Sequence, residues 1–410
     1  MAFNILEFLK SKSGLEALLN LTRTAEQTQD NLSDAIFYAA QMQWEEAVTN
    51  LEKELETNQD ISTRYLYARI LQKTDREKGN KEIEAVIKEI IDQEGVEEEV
   101  DLESKNKIYK SRNKILEREI IIKQGDNLEQ ELATARLLKE RFRQIPNLDT
   151  YEPITVIGNY YVMEREPHPT FSEVADKYED EKTRNHLESL VPILAGIHLA
   201  TRRIETPKKE RDLEESIKAS LQRCTDLETY RIIASNLNPL IKAQENIVRV
   251  VKKDPHPWNF LVDEDYYNPD TRTHGRYIIV DTEITEPIPI TTEWAVLLFH
   301  RRLFEEDDNK KKDAILREQI IPTNIGAKLI PDEERKYLLA TYSSVITRTL
   351  ELLPRLATRK DKNKYCIDML ESCLFCLSRI EEEFELNYKR SKREYDNLRI
   401  GLEILLSGIK

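Results

Sequence analysis

Three polar residues in the second half of the chain have the types and the order that phosphoryl transfer requires. Asp254 lies five residues before Asn259 in the run DPHPWN, and Asp281 follows the apolar run YIIV. An aspartate can accept the proton of a substrate hydroxyl, while an asparagine and a second aspartate can hold Mg²⁺ on nucleotide phosphates. We therefore predict Asp254 as the catalytic base and Asn259 and Asp281 as metal ligands.

A cation on the nucleotide phosphates is the next requirement, and Lys123 can supply it. Lys123 ends the β-branched run Ile120–Ile122, which predicts a strand. A carboxylate early in the following helix would fix the lysine side chain. Glu131 and Glu129 are both candidates, and Glu131 is favoured because its spacing puts it beside the apolar face of that helix.

The apolar runs that flank the predicted metal ligands indicate two buried strands. They cover Phe260–Val262 and Ile278–Val280, and the polar stretch 263–276 between them predicts a solvent loop. Two carboxylates linked to buried strands would repel each other without a cation, which favours Mg²⁺ at this position. Glu283 is a further carboxylate beside the predicted metal site.

Periodicity along the chain favours an α+β protein rather than alternating βαβ units. We predict a helical region over 1–92, a small β-rich lobe over 93–166 and a larger helical lobe over 167–325. Helical patterns also predict an insertion at about 200–250 and a C-terminal region over 326–410. A nucleotide is expected between the two lobes, where pockets prefer to form.

Residues 254–283 resemble the catalytic loop and metal motif of the protein-kinase-like superfamily. The resemblance is nearest to the aminoglycoside-phosphotransferase and choline-kinase-like branch, where D-x-H-x-x-N followed by D-x-E is usual. It implies a two-lobed kinase-like fold, with ATP and Mg²⁺ as cofactors and a hydroxyl of a small molecule or protein as acceptor.

The same resemblance assigns nucleotide-binding roles in the β-rich lobe. Lys123 matches the superfamily's nucleotide-binding lysine. The run YVME resembles the strand that leads into the hinge, so backbone groups of Met163, Glu164 and Arg165 are implied to contact the adenine.

Two departures from the superfamily leave a second function open. Gly95 is the only glycine between Asn80 and Gly125, so a glycine-rich loop over the phosphates is missing. Lys252 stands where the superfamily commonly has histidine. The alternatives are a catalytically weak or inactive kinase-like scaffold, and a purely structural helical protein in which the motif is accidental.

Overall charge and composition bear on partners and location. The formal net charge of −14 disfavours nucleic acid as the main partner. No apolar run reaches the roughly 20 residues of a membrane span, and no signal peptide is seen, so we expect a cytoplasmic protein without membrane contact.

Three local features have narrower interpretations. The helices of residues 1–90 resemble tetratricopeptide pairs in part, which indicates either a docking surface for a protein partner or a plain helical cap on the next domain. Cys373 and Cys376 form a C-x-x-C inside a helical apolar pattern and are predicted to be buried helix cysteines. His256 is predicted to stiffen the loop between Asp254 and Asn259.

Overall fold

The computed structural model describes residues 31–94, 97–99, 107–110, 120–124, 128–150, 153–157, 160–164, 168–177, 180–202, 204, 212–251, 255–268, 273–280, 286–305, 307–357, 363–384 and 389–409. These residues divide into two compact units. Unit 1 comprises the described residues within Met1–Ala133 and Tyr151–Pro167, and unit 2 comprises those within Thr134–Thr150 and His168–Lys410.

Helices dominate the described chain. They are α1 (Asn31–Ala40), α2 (Trp44–Leu55), α3 (Ile61–Thr74), α4 (Arg76–Glu94), α5 (Leu128–Phe142), α6 (Phe171–Lys177), α7 (Asp180–Thr201), α8 (Leu213–Cys224), α9 (Leu227–Ala234), α10 (Asn238–Gln244), α11 (Ile290–Phe299), α12 (Asp308–Ile315), α13 (Ile321–Gly326), α14 (Glu334–Ala357), α15 (Asn363–Glu383) and α16 (Lys389–Ile409). A 3₁₀ turn covers Pro257–Asn259, and a π-helical turn covers Leu316–Ile320.

The strands are short and form three small sheets. They are β1 (Glu97–Glu99), β2 (Lys107–Lys110), β3 (Ile120–Gln124), β4 (Leu148–Thr150), β5 (Pro153–Ile157), β6 (Tyr160–Glu164), β7 (Arg249–Val251), β8 (Phe260–Asn268), β9 (Thr273–Ile279) and β10 (Pro287–Pro289). The sheet orders are β1-β2-β3-β6-β5, β4-β9-β8 and β10-β7. The helix-rich α+β class predicted from the sequence is confirmed, while the two-lobed layout and the domain boundaries stay predictions.

In unit 1, helices α3 and α4 share an apolar core with the sheet, while α1 and α2 pack with α3 in a second cluster. The five strands of the sheet pair antiparallel throughout. Ile122 of β3 and Val162 of β6 pack with Tyr65 of α3 and with Val86 and Ile87 of α4. Helix α3 begins at a well-made cap, because the side chain of Asp60 accepts the backbone N–H groups of Ser62 and Thr63. The helical region therefore supports the strand that carries Lys123.

In unit 2, the core lies between helices and the β4-β9-β8 sheet. Helix α14 contacts α8, α10, α11 and α15. Side chains of Phe260 and Val262 from β8 and of Tyr277 and Ile279 from β9 are buried in the same cluster as Trp294 of α11. The residues between them, Leu261 and Ile278, are also buried, so this part of the hairpin is covered on both faces.

The predicted solvent loop across 263–276 is wrong. Strands β8 and β9 run through it as an antiparallel hairpin, with Asp263 opposite Arg276 and Asn268 opposite Thr273. Arg276 Nη2 donates to Asp263 Oδ2 at 3.1 Å, and such cross-strand charge pairs stabilise a hairpin. The many polar residues of this stretch gave it the composition of a loop.

Among the described helices, none combines the length and the apolar character that crossing a bilayer requires.

Candidate active site

In unit 1, the structure brings Lys123 and Glu131 together. Strand β3 holds Lys123 between Ile108 of β2 and Tyr161 of β6, and Glu131 lies in the first turn of α5. Both carboxylate oxygens of Glu131 lie 2.8 Å from the Lys123 ammonium. The two side chains are only 14% and 10% exposed, so the attraction between them is weakly screened by water. Glu131, rather than Glu129, fixes the lysine.

The predicted hinge residues follow on the neighbouring strand. Met163 pairs with Ile121 of β3 and Glu164 with Ile120, where β6 ends. Arg165 lies outside the described residues. Contact of the Met163, Glu164 and Arg165 backbone with an adenine stays a prediction.

In unit 2, Asn259 is the last residue of the 3₁₀ turn and immediately precedes β8. Its backbone N–H donates to the carbonyl of His256 at 2.7 Å, and its carbonyl accepts the N–H of Val280 at 3.1 Å. Phe260 pairs with Ile279 at the start of the hairpin. Asn259 therefore lies beside Val280, the residue that immediately precedes Asp281 in the sequence.

The other predicted residues of this loop, Asp254, Asp281 and Glu283, lie outside the described residues, as does Lys252. Their roles as catalytic base, metal ligand and neighbouring carboxylate stay predictions. Within the described part of the chain, no group of three or more His, Cys, Asp or Glu side chains is arranged to hold a metal ion.

His256 has the loop-stiffening contacts that the sequence predicts. It is 9% exposed, and its Nδ1 accepts the backbone N–H of Trp258 at 3.3 Å. Its Nε2 lies 2.9 Å from the hydroxyl of Tyr365. The imidazole and the Trp258 indole are stacked, with ring centroids 4.3 Å apart.

Sequence reasoning missed Tyr365 and Arg301. Tyr365 is 109 residues from His256 along the chain, and the Arg301 guanidinium lies 5.7 Å from the centroid of the Trp258 ring. Neither residue belongs to a local pattern that points to the loop. Only the packing of α15 and of the segment after α11 brings them there.

Unit 2 also contains a cavity of ≈ 170 Å³ beside the β7–β10 ribbon. Its charged lining is mostly acidic, with two arginines, and consists of Glu245, Arg249, Glu286, Glu293, Arg348 and Glu351. Glu293 is fully buried and lies 3.8 Å from Nε2 of the buried His198. Strand β7 ends at Val251, three residues before Asp254.

Comparison with known proteins finds no matching family model and no matching curated protein. Among solved structures, the chain is similar to a choline kinase from Cryptosporidium parvum, with 11% identity over 76% of this chain and 98% of that one and a TM-score of 0.44. It is similar to a Plasmodium vivax ethanolamine kinase at 11% identity over 80% and 93%, with a TM-score of 0.41.

A third similar structure is a spectinomycin phosphotransferase solved with ADP and spectinomycin, at 12% identity over 78% of this chain and 96% of that one, with a TM-score of 0.41. Each identity is below 25% and each TM-score is below 0.5.

Proposed function

We propose that the chain is an ATP- and Mg²⁺-dependent phosphotransferase that acts on a hydroxyl acceptor. The observation that carries the proposal is the nearly buried Lys123–Glu131 ion pair, which joins a central strand to the first turn of a helix. An ammonium held in this way is preorganised for a second anionic group such as a nucleotide phosphate.

Asn259 supports the proposal from the other half of the chain. The backbone bond between Asn259 and Val280 fixes the spacing between the asparagine and the segment that continues into Asp281. An amide oxygen and a carboxylate are hard donors of the kind that Mg²⁺ takes. When bound, Mg²⁺ would neutralise charge on the nucleotide phosphates.

The remaining roles belong to the chain's own side chains. Asp254 would accept the proton of the acceptor hydroxyl, and Lys123 would hold phosphate oxygens while Glu131 fixes the lysine rotamer. Backbone groups of Met163, Glu164 and Arg165 would bind the adenine. Each role requires orientation more than covalent chemistry, and strands and a stiff loop orient the side chains they carry.

We place the acceptor in the cavity beside β7 and β10. Four glutamates and two arginines give its lining an acidic balance, which favours an acceptor that carries an amine as well as a hydroxyl. Because Glu293 lies within this lining and is fully buried, an ammonium group near it would be strongly attracted.

Nucleotide binding gives the first test. ATP with Mg²⁺ should raise the melting temperature of the protein, since a ligand that binds only the folded state stabilises it. Asp254→Asn should keep this shift and lose ATP-dependent phosphorylation of an amino-alcohol panel. No thermal shift and no turnover across that panel would overturn the proposed enzyme activity.

A kinase-like scaffold is the second candidate, favoured by the missing glycine-rich loop and by the helical layer α1–α4. It predicts a protein partner whose capture requires residues 1–90. Retention of the ATP-induced thermal shift without turnover by the wild-type protein would favour this candidate over the enzyme.

A further inference from the structure

Tyr365 reaches the predicted catalytic loop from the C-terminal part of the chain. It lies near the start of α15, and its hydroxyl lies 2.9 Å from His256 Nε2. Its ring centroid is 6.2 Å from that of His256 and 5.5 Å from that of Trp258. One tyrosine therefore contacts both aromatic side chains between Pro255 and Asn259.

The hydrogen bonds of His256 define which of its two ring nitrogens carries the proton. Because Nδ1 accepts the backbone N–H of Trp258, the proton of a neutral imidazole lies on Nε2. Nε2–H then donates to the Tyr365 hydroxyl. Both ring nitrogens have partners on opposite sides, so the ring can neither flip nor rotate without losing a bond.

A second residue distant in sequence, Arg301, also reaches this loop. The Arg301 guanidinium lies over the Trp258 ring and is ion-paired with Asp176, at the end of α6. The order Arg301, Trp258, His256, Tyr365 forms a continuous contact chain across the loop, here called the aromatic column. Its two ends belong to elements far apart in the sequence.

The aromatic column connects directly to Asn259. The His256 carbonyl accepts the N–H of Asn259 at 2.7 Å, and this bond closes the 3₁₀ turn. Because His256 Nδ1 accepts the backbone N–H of Trp258 in the same turn, a change in the orientation of the ring would remove a bond that holds the backbone before Asn259. The Val280 contact would then change with it.

We infer that Tyr365 is a positioning residue, which sets the orientation of Asn259 through its hydrogen bond to His256. This inference rests on the proposed function, because the turn matters for chemistry only if Asn259 helps to hold a metal–nucleotide complex. It makes α15 part of the active-site support rather than a helical tail.

The central variant is Tyr365→Phe, which removes the hydroxyl and keeps the ring contacts with Trp258. Loss of an outer hydrogen bond that orients a ligand residue is expected to lower kcat about ten-fold while KM for ATP stays within about two-fold. The melting temperature should change no more than in Tyr230→Phe. That control removes a tyrosine hydroxyl that accepts a hydrogen bond from Gln222 on a neighbouring helix.

A double-mutant cycle tests whether Tyr365 acts through His256. The kcat of Tyr365→Phe/His256→Gln should equal that of His256→Gln alone, because the second change removes the group through which the first one acts. If the fold-decrease in kcat of the double variant equals the product of the two single-variant decreases, the inference is overturned.

An NMR experiment tests the inference without nucleotide and without measuring turnover. Long-range ¹H–¹⁵N spectra of the six histidines should show His256, assigned with His256→Gln, as the Nε2–H tautomer. Tyr365→Phe should shift its Nε2 signal and leave the Nδ1 signal that of an acceptor. An unchanged Nε2 signal would overturn the inference.

The two proposals fail in different ways. If wild-type protein neither binds ATP with Mg²⁺ nor turns over, the proposed function is overturned and the positioning role with it. If wild-type protein is active and Tyr365→Phe has the same kcat as Tyr230→Phe, only the positioning role is overturned.

Discussion

The two regions to which we assign the chemistry are held together in different ways. In unit 1, Lys123 and Glu131 are eight residues apart and form one nearly buried ion pair. In unit 2, the turn that ends at Asn259 is held by Tyr365 and Arg301, through rings and a neutral hydrogen bond. The first region contains a nearly buried ion pair, and the second contains several weaker contacts.

The difference has consequences for mutation. When one partner of a buried ion pair is removed, the other charge stays buried without its counter-charge. A single substitution is then strongly destabilising. An aromatic column loses its contacts one at a time, each at a modest cost. We therefore expect single changes in unit 1 to be severe and single changes around the loop to be graded.

The largest effect is expected from Lys123→Met. Methionine keeps most of the side-chain volume and removes the charge, so turnover should fall about 10²–10³-fold, as for loss of one preorganised electrostatic group. Steady-state kinetics with ATP would measure it. Lys139→Met is the control, because Lys139 lies on α5 with its own carboxylate partner, Asp149, at 3.9 Å, and a change of less than about two-fold is expected there. Equal losses in both variants would contradict a special role for Lys123.

The next effect concerns stability. Glu131→Leu leaves the Lys123 ammonium without its carboxylate and should lower the free energy of unfolding by about 3 kcal/mol. Combining it with Lys123→Met removes the buried ammonium as well and should restore most of that loss. Urea denaturation of the three variants measures the coupling, and strictly additive losses would show that the pair is not the dominant contact.

Acidification should destabilise unit 2 more than unit 1. Burial lowers the pKa of His300 well below its ordinary value, with a further contribution from Arg348, and burial also lowers the pKa of His186. Their unfolded rings bind a proton below about pH 6.5 while the folded rings do not, so this stability is present above that pH and is lost as the pH falls.

All six histidines of the sequence lie within unit 2. Between about pH 7 and 5.5 we expect unit 2 to lose about 1 kcal/mol from His300 alone. Hydrogen exchange followed by mass spectrometry, corrected for intrinsic rates, should show faster exchange in unit 2 and little change in unit 1. His300→Gln should weaken the effect, and equal acceleration in both units would contradict it.

The smallest effect is expected in the hairpin that carries Asn259. Gly275 has a φ of +89°, and nothing lies within 4 Å of the position that an alanine Cβ would take, so Gly275→Ala adds backbone strain without a clash. The cost should be about 1 kcal/mol of unfolding free energy. Thermal denaturation would detect it, and an unchanged or higher melting temperature would show that the hairpin tolerates the side chain.

Local patterns predicted the elements around Lys123 well. The run Ile120–Ile122 forms a strand because β-branched residues suit a sheet, and α5 covers Leu128–Phe142 with its predicted apolar face buried. The pairing of Lys123 with Glu131 follows from these two elements and a short connection. Because the two residues are only eight positions apart, few other arrangements of the two side chains were open.

The hairpin shows where local patterns failed. The polar stretch 263–276 has the composition of a loop, yet Asp263 and Arg276 lie opposite each other in the sheet and form an ion pair. A charge is unfavourable in an isolated strand pattern and favourable once the opposite strand presents its counter-charge. Which residues face each other depends on the register between the two strands, and the sequence of one strand does not specify that register.

The sequence by itself determined the helix-rich α+β class, the strand that ends near Lys123 and the spacing of Asp254, Asn259 and Asp281, because these depend on residue type and local periodicity. Only the tertiary structure decided that Tyr365 and Arg301 hold the loop before Asn259. Contacts across 109 residues arise from the way helices pack in a common core, and no local pattern of side chains encodes such packing.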